Sequence, residues 1–492
     1  MNPRALFLPI LSRGLSSSSY HYPNIGWFSS PLMATRSYQK GEGSNSAKRG
    51  RQRFKPGGPV KQKTHRKNEH NKPTTETALP PPPPITNADD GPFPSYFTCR
   101  HTYEDSLIEE LKLLAPDITL SSPFPGCVRM EETQILDDQS DHQWIDPVYA
   151  LQSLPNCHVM QGQNSIKSIA KAIAENSTLM KQLQTAPRGS LRIHALVPGV
   201  GKGQRDPILM RRSQLVAETL RDILRKSYRA CRRPSTNPET SLSQNGLEQI
   251  PLDSVQNSDN TWLLQIMLLS PDVAAVSLAH CRSMGELDTC LWPNPDYIAG
   301  IAKVDIDSKM PSSAYRKLLE ALACMQTKPK PSDVVVDLGA SPGGWTQALL
   351  LHCQCQVVAV DRSPLDSGLM QHNNVQFISG DAFNYRPSSP VDWMVSDLIA
   401  YPERVAELLD AWCGQRLAHT MVVTVKFQGD SPSWKDVEVA LHIAQSHGYW
   451  ARAKHFFNNK NEVTLLIKSD ATPRNPVAIK SFYEVSWPKS DS

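Results

Sequence analysis

Four charged residues whose side chains could exchange protons lie at the ends of predicted strands and on one predicted helix. Asp397 follows an apolar strand-like run, Lys426 closes the next run and Glu462 opens the last. Lys317 lies earlier, on an amphipathic stretch that precedes the first of these strands. A single lysine is usually a surface residue, but ligands of open α/β sheets bind beyond the carboxyl ends of the strands. Their shared placement makes the four residues candidates for catalysis.

The elements that must position them alternate between strand and helix. The run 334–338 is apolar and β-branched, which is typical of a strand buried on both faces of a parallel sheet. Further strands are predicted at 356–361, 375–381, 391–397 and 421–426, helices at 346–352, 403–413 and 434–446, and a final strand pair at 450–456 and 462–468. This order predicts an α/β, doubly wound, Rossmann-like sheet with an antiparallel edge.

A glycine-rich loop follows the first strand, where Gly339, Gly343 and Gly344 would let the backbone approach a ligand closely. Asp361 ends the second strand, where a carboxylate can accept hydrogen bonds from two ribose hydroxyls, and Asp381 ends the third, near an adenine. The loop lacks the Lys-Ser/Thr pair of a P-loop, which disfavours phosphate cradling. It is also not a clean G-x-G-x-x-G, which weakens an interpretation as an NAD site.

The pattern Asp-x-Gly-x-x-Pro-Gly-Gly resembles motif I of methyltransferases, which implies S-adenosylmethionine as the cofactor; the alternative is a generic Rossmann loop for another nucleotide. After the fourth strand, the chain lacks the Asn/Asp-Pro-Pro-Tyr loop of amino-group methyltransferases. The nearest cysteine, Cys413, lies inside a predicted helix, which disfavours a carbon-5 pyrimidine enzyme. The predicted cofactor-binding residues are Asp337, Gly339, Ala340, Pro342, Gly343, Gly344, Trp345, Asp361, Asp381 and Asp397.

The four charged residues, in order, resemble the Lys–Asp–Lys–Glu tetrad of the RrmJ/FtsJ-type RNA ribose 2′-O-methyltransferases. The stretches 311–321, 336–346, 393–397 and 462–464 are similar to the RlmM family, bacterial methyltransferases of a cytidine ribose in large-subunit ribosomal RNA. The resemblance is strong over residues 300–470, weaker over 95–300 and absent over 1–90. Ser341 stands where bacterial members often have cysteine.

This resemblance implies that Lys317, Asp397, Lys426 and Glu462 are catalytic and that no metal is required. A ribose 2′-hydroxyl is a poor nucleophile, and a lysine beside a second cation gives up its own proton more readily. Lys426, with Lys317 close by, is therefore the predicted base. Asp397 and Glu462 would orient the lysines and balance their charge. Two rival predictions remain: 2′-O-methylation of a transfer RNA or an mRNA cap, and a non-catalytic RNA-binding ribosome-assembly factor.

The net charge of +4 hides a strong division along the chain. Residues 1–90 carry +9, residues 181–233 carry +10, and the remainder carries −15. The segment 209–229 is an amphipathic helix with many basic residues on its polar side, which predicts an RNA-docking surface, the alternative being a solvated face. The predicted RNA-binding residues are Arg211, Arg212, Arg225, Lys226, Arg229, Arg232 and Arg233.

Four regions are predicted: a transit peptide (1–40), a disordered basic and proline-rich linker (41–94), an RNA-binding region (95–300) and a methyltransferase domain (301–492). The resemblance implies a THUMP-like module for 95–300, with an insertion at 234–258. Residues 1–41 are basic and serine-rich and have no acid, which predicts a mitochondrial protein, with plastid, nucleus or cytoplasm as alternatives. No apolar run is long enough for a membrane span, and no cysteines have zinc-ligand spacing. The expected partner is RNA, rather than DNA or a membrane.

Overall fold

The computed structural model describes residues 93–469, except 117, 132–144, 164, 200–205, 232–260, 286–287 and 430–431, together with 480–481. These residues belong to one compact unit, Glu76–Ser492. The predicted transit peptide, nearly all of the linker, the insertion 234–258, Arg232 and Arg233 lie outside the described residues. Among the described helices, none is both long and apolar enough to cross a bilayer.

The upstream part of the chain begins with an antiparallel four-stranded sheet in the order β2-β3-β1-β5. Its elements are β1 (Ser95–Thr98), α1 (Glu104–Leu114), β2 (Thr119–Phe124), β3 (Cys127–Glu131) and β5 (Gln152–Leu154). Between β3 and β5 lies the short β4 (Ile145–Asp146), which pairs in parallel with a strand near the end of the chain, Lys480–Ser481. For this part, the sequence predicts only a strand over 96–101 and a helix over 105–114. It gives no sign of β2, which lacks an apolar alternation, or of β3, whose alternation covers only four residues.

A second four-stranded sheet follows, in the order β6-β9-β8-β7, with β7 and β8 parallel and the other pairs antiparallel. Its elements are β6 (His158–Gln161), α2 (Ile166–Glu175), α3 (Ser177–Thr185), β7 (Leu191–Leu196), α4 (Pro207–Ser227), β8 (Trp262–Leu268) and β9 (Val273–His280). The apolar side of α4 packs with α2 and the sheet in one core. A hairpin of β10 (Arg282–Gly285) and β11 (Asp288–Trp292) leads into the last part.

The apolar residues at 166, 169, 173 and 179 predict a single helix over 163–184. That prediction is wrong, because the chain forms two helices that meet at Asn176. The Asn176 side chain accepts a hydrogen bond from the backbone N–H of Leu179 at 2.9 Å and so caps α3. Asparagine is a strong helix N-cap because its side-chain oxygen satisfies an N–H that has no partner in the helix. The apolar periodicity continues through both helices and conceals this break.

The carboxyl-terminal part forms a seven-stranded sheet in the order β14-β13-β12-β15-β16-β18-β17. The strands are parallel except β18, which runs antiparallel between β16 and β17. The elements are α5 (Tyr315–Met325), β12 (Val334–Leu338), α6 (Gly344–Cys353), β13 (Gln356–Asp361), α7 (Ser367–Met370), β14 (Val375–Ser379), β15 (Val391–Ser396), α8 (Pro402–Gly414), β16 (Ala418–Lys426), α9 (Trp434–Ser446), β17 (Tyr449–Lys454) and β18 (Glu462–Ser469), and the strand at Lys480–Ser481 is β19. The predicted α/β Rossmann-like fold is confirmed for this part.

Helices cover both faces of this sheet, which explains its nearly continuous apolar strands. Val335 and Trp393 point to the layer formed by α5 and α6. Val336 and Met394 point to the layer formed by α8 and α9. Buried residues of α1 and β1 join this second layer, so the upstream part and the large sheet share one hydrophobic core.

A buried ion network fastens the two parts together. Asp146, on β4, accepts two hydrogen bonds from the Arg452 guanidinium, at 2.8 and 2.9 Å, and a third from Lys454 Nζ at 2.9 Å. All three side chains are almost fully buried. Burial alone would raise the pKa of Asp146, but the two cations outweigh that effect and hold the pKa below its usual value. The network therefore stabilises the fold at neutral pH, and that contribution is lost as the pH falls through the lowered pKa.

Replacing Asp146 by alanine should reduce the free energy of unfolding by about 3–5 kcal/mol, because two buried cations would lose their carboxylate. Chemical denaturation at neutral pH measures this change. Asp410→Ala is the matched control, since its exposed contact with His447 is worth less than about 1 kcal/mol. Equal midpoints for the two variants would contradict a stabilising role for the network.

Candidate active site

The structure brings the four predicted catalytic residues together at one edge of the large sheet. Lys317 lies in the first turn of α5, and Asp397 follows the last residue of β15. Lys426 ends β16 and Glu462 begins β18, and these two residues are direct partners in the antiparallel register. Parallel strands end at the same edge and the antiparallel strand begins there, so the topology alone brings three of the four residues together.

Each lysine contacts both carboxylates. Lys317 Nζ lies 2.8 and 2.7 Å from the two carboxylate oxygens of Asp397 and 3.0 Å from Glu462 Oε1. Lys426 Nζ lies 2.5 Å from Asp397 Oδ1 and 3.2 Å from Glu462 Oε2. The two lysines therefore share one oxygen of Asp397, and the four formal charges sum to zero.

This tetrad is largely removed from water, which strengthens its internal attraction. Lys317 and Glu462 retain 8% and 5% of their exposure, and Lys426 is partly buried. Burial by itself would raise the pKa of Glu462, but the charges of Lys317 and Lys426 hold that pKa below its ordinary value. Glu462 thus remains a carboxylate at neutral pH.

Sequence reasoning missed Thr424, a fully buried partner of the tetrad. Its hydroxyl donates a hydrogen bond of 2.8 Å to Asp397 Oδ1. Thr424 lies two residues before Lys426 on β16, and side chains two apart on a strand share one face of the sheet. That spacing is the signal by which Thr424 could have been found.

Two glycines of the predicted cofactor loop adopt backbone conformations that other residues rarely reach. Gly339 has φ +80° and Gly343 has φ +115°. A methyl group at Gly339 would lie 2.6 Å from Leu398 Cδ2, and one at Gly343 would lie 2.2 Å from Leu369 Cδ1. Both positions therefore require glycine, because any side chain would clash with the neighbouring leucines. At these two positions the loop presents only backbone atoms.

The carboxylates predicted to bind the cofactor occupy different surroundings. Asp361 is partly exposed and accepts backbone hydrogen bonds from Ser341 at 3.1 Å and Ser363 at 2.8 Å, one on each oxygen. This arrangement fixes the carboxylate and leaves lone pairs for the two hydroxyls of a ribose. Asp337 is buried, and burial raises its pKa to about 7 against the hydrogen bond from Thr346. It therefore braces the start of α6 from behind the loop.

Asp381 lies beyond β14 with two partners of its own. The backbone N–H of Phe383 and the Arg362 guanidinium, which is 2.7 Å away, hold the pKa of Asp381 below its usual value. Asp381 is thus ionised at neutral pH and fixed in orientation at the third strand end.

The other predicted loop residues support the loop by their packing. Trp345 is 3% exposed, and its indole N–H donates to the Ala314 carbonyl at 2.8 Å. Its side chain therefore ties the loop to the segment before α5 and faces the core. Ala340 is also buried, and the Pro342 carbonyl accepts a hydrogen bond from the backbone N–H of Asp366 at 2.9 Å.

The predicted RNA-binding residues of α4 are divided in their exposure. Arg211, Arg225 and Lys226 are exposed, as is Arg229 just beyond the helix. Arg212 is half-buried, and its Nε donates to the Pro271 carbonyl at 2.5 Å, so it also anchors the helix to the β8–β9 turn. The exposed side of α4 also carries Glu218 and Asp222, which the net charge of +10 for residues 181–233 already includes.

The sheet order, the glycine loop and the carboxylates at successive strand ends define a Rossmann-like α/β domain that can hold a nucleoside-containing cofactor. Residues 310–420 match the family model described as FtsJ-like methyltransferase, a stretch that contains Lys317 and Asp397. These features and this match confirm the predicted family resemblance, and with it S-adenosylmethionine as the cofactor.

Two curated relatives carry the name ribosomal RNA large subunit methyltransferase M. The protein from Xanthomonas oryzae pv. oryzae (strain PXO99A) is 29% identical over 212 residues, which are 41% of this chain and 58% of the relative. The protein from Halorhodospira halophila is 31% identical over 189 residues, which are 38% of this chain and 55% of the relative. The chain thus spans somewhat more than half the length of these relatives.

Among solved structures, TrmN from Thermus thermophilus is similar to this chain, and the alignment covers 76% of this chain and 99% of the TrmN chain. Its sequence identity is 13% and its TM-score is 0.27.

Replacing Gly343 by alanine should weaken S-adenosylmethionine binding at least tenfold, because the added methyl group clashes with Leu369 and the backbone conformation becomes strained by about 1–3 kcal/mol. Isothermal titration calorimetry with the cofactor measures the change. Gly368→Ala is the matched control, since its methyl group would meet only Asp366 at 3.4 Å. Unchanged affinity in Gly343→Ala would remove this loop from the cofactor site.

Proposed function

We propose that this protein is an S-adenosylmethionine-dependent RNA methyltransferase that modifies a ribose 2′-hydroxyl, on a cytidine of large-subunit ribosomal RNA. The observation that carries the proposal is the closed contact of Lys317, Asp397, Lys426 and Glu462 at the edge of the sheet. An amino group attached to a base would not require a lysine base of this kind, whereas a weakly acidic hydroxyl does.

The tetrad can take a proton from a hydroxyl that enters beside Lys426. In the proposed reaction, Lys426 first gives up its ammonium proton to solvent. Its neutral Nζ then accepts the hydroxyl proton while the oxygen forms its bond to the methyl carbon and the bond from that carbon to the sulfonium sulfur breaks. S-adenosylmethionine, when bound, supplies that methyl group as an electrophile. Lys317 remains on Asp397 and Glu462 and keeps both carboxylates in place, and Thr424 fixes the Asp397 oxygen that the lysines share. The residues thus supply orientation and proton transfer, which together account for large rate accelerations.

The glycine loop and Asp361 are the proposed cofactor contacts. At Gly339 and Gly343 the loop has no side chain, so a ligand could approach its backbone closely. Asp361 accepts two backbone hydrogen bonds and has further lone pairs that can accept hydrogen bonds from a ribose. Asp381, fixed by Arg362 and Phe383, is proposed to lie near the adenine. The buried Asp337 and the Trp345 side chain are proposed to act from behind, by supporting the loop.

Ribosomal RNA is the proposed substrate because the two relatives are named as methyltransferases of that RNA. The upstream region is proposed to be a THUMP-like RNA-docking module. Its second sheet has two helices before β7 and the long α4 after it, and the exposed Arg211, Arg225, Lys226 and Arg229 can meet phosphates. The alternative is methylation of a transfer RNA or an mRNA cap. Identifying the modified RNA distinguishes this alternative from the proposal.

The proposed compartment is the mitochondrion. The support is the basic, serine-rich and acid-free composition of residues 1–41. Large-subunit ribosomal RNA of that organelle is then the expected target.

Replacing Lys426 by alanine should lower methyl transfer by about 10²–10⁴-fold, because the general base is lost. Transfer of a tritiated methyl group to total mitochondrial RNA, followed by mapping of ribose methylation, measures the effect and identifies the target. Cofactor affinity should stay unchanged. Lys435→Ala, an exposed lysine on α9, is the control and should retain full activity. Full transfer by Lys426→Ala would exclude Lys426 as the base.

Reversing two charges on α4, by Arg225→Glu with Lys226→Glu, should weaken RNA binding at least tenfold and reduce its salt dependence by about two counterions. Filter binding at several salt concentrations measures both quantities, and cofactor affinity should not change. Lys112→Glu with Lys171→Glu is the matched double reversal on other exposed helical positions. Equal binding curves for the two double variants would exclude α4 as the docking surface.

A further inference from the structure

Glu320 is a buried acid on α5 that the proposed reaction does not use. It retains 2% of its exposure and lies three residues after Lys317, so both side chains project from the same side of the helix. Burying a carboxylate is costly unless hydrogen bonds compensate for the lost water. The partners that compensate Glu320 therefore indicate what the residue does.

Those partners belong to the turn between β17 and β18. The Glu320 Oε2 atom accepts hydrogen bonds from the backbone N–H of Asn458 at 2.7 Å and from its side-chain Nδ2 at 2.9 Å. These contacts join residues that are 138 positions apart in the chain. Glu320 thus fastens the turn to the helix that carries Lys317.

The same turn is tied to the tetrad at its other end. The backbone N–H of Lys460 donates to Glu462 Oε1 at 3.3 Å, and Glu462 Oε1 also lies 3.0 Å from Lys317 Nζ. Asn459, inside the turn, is fully buried. Its Oδ1 accepts a hydrogen bond from the backbone N–H of Phe456 at 2.7 Å, and its Nδ2 donates one to the Thr464 hydroxyl oxygen at 3.1 Å. The contacts form a closed ring from Lys317 through Glu462 and the turn to Glu320, and α5 completes it.

We propose that Glu320 is a positioning residue, which holds the turn 457–461 against α5 and thereby sets the Glu462 carboxylate beside Lys317. This inference rests on the proposed methyltransferase function and adds to the tetrad a residue that touches neither substrate nor cofactor. Without the Glu320 acceptor, the turn loses its anchor and the Glu462 oxygens move relative to Lys317.

A conservative variant separates positioning from charge. Both hydrogen bonds from Asn458 reach one oxygen of Glu320, and the amide oxygen of glutamine can accept both. Burial also raises the pKa of Glu320 to about 7 despite the hydrogen bonds from Asn458 and the backbone N–H of Phe457, so the site tolerates a neutral group. Glu320→Gln should therefore keep the ring of contacts, whereas Glu320→Ala should open it.

Steady-state methyl transfer at varied concentrations of cofactor and RNA tests the inference. Glu320→Ala should lower kcat by about 10–100-fold with little change in either KM, because small misplacements of catalytic groups cost that much. Glu320→Gln should stay within threefold of wild type, about 0.7 kcal/mol. Asn458→Ala should give an intermediate loss of kcat, and it carries the test if Glu320→Ala does not fold.

Glu110→Ala is the matched control, since Glu110 is another fully buried acid that accepts two backbone hydrogen bonds, from Val148 and Tyr149. It should lose comparable stability and keep the wild-type kcat. A Glu320→Ala kcat equal to that of Glu110→Ala, or a Glu320→Gln kcat as low as that of Glu320→Ala, would overturn the proposal.

Hydrogen exchange keeps this inference separate from the proposed function. The backbone N–H groups of Asn458 and Lys460 should exchange faster in Glu320→Ala than in wild type and Glu320→Gln, whether or not any RNA is methylated. Unchanged exchange would overturn the role of Glu320 alone. A wild-type protein that transfers no methyl group to RNA, while exchange changes as expected, would instead overturn the proposed function.

Discussion

The structure of the carboxyl-terminal part depends on a charge balance at one edge of its sheet. There, two ammonium groups and two carboxylates neutralise each other. An isolated charge buried to this degree would cost several kcal/mol, so each of the four groups depends on the other three. The groups come from α5, the end of β15, the end of β16 and the start of β18. A one-residue slip of β18 against β16 would turn Glu462 to the opposite face and leave both lysines undercompensated. Strand register and site geometry are therefore set by the same interaction.

A second buried network performs a similar task between the upstream part and the large sheet. Arg452 and Lys454 point from one face of β17 to Asp146, and Trp292 lies against Lys454 with its ring centroid 4.4 Å from Nζ. The adjacent His455 is fully buried, and desolvation lowers its pKa to about 4. Because β17 is hydrogen-bonded to β18, the strand that anchors the upstream part is also the neighbour of the strand that carries Glu462. The placement of the upstream part and the geometry of the tetrad thus depend on adjacent strands.

Sequence patterns predicted every strand of the large sheet with bounds within three residues, since strands buried on both faces are apolar throughout. The bounds of β12, β13 and α9 are those predicted. The tetrad was also predictable, because three of its members are ionisable groups at strand ends and the fourth, Lys317, lies on the amphipathic helix before the sheet. Thr424, Glu320 and Asn458 were not found, because their importance lies in contacts between distant segments that periodicity does not encode. The antiparallel strand β2 was missed, because its residues 121–123 are serine and proline in place of an apolar alternation. The neighbouring β3 was missed although Val128 and Met130 alternate with Arg129 and Glu131, because that pattern covers only four residues.

The neutrality of the tetrad also bears on how the protein would attract its substrate. Four charges that sum to zero exert little long-range pull on phosphates, so attraction must come from elsewhere in the chain. On the exposed face of α4, Glu218 and Asp222 partly offset Arg211, Arg221, Arg225 and Lys226, which leaves a modest positive excess. In the sequence, further basic residues flank this helix on both sides, at 202, 205, 229, 232 and 233. If α4 is the docking surface proposed above, we expect the affinity for RNA to depend on the basic residues that flank this helix as much as on the helix itself, and the proposed catalytic edge to discriminate by geometry rather than by net charge.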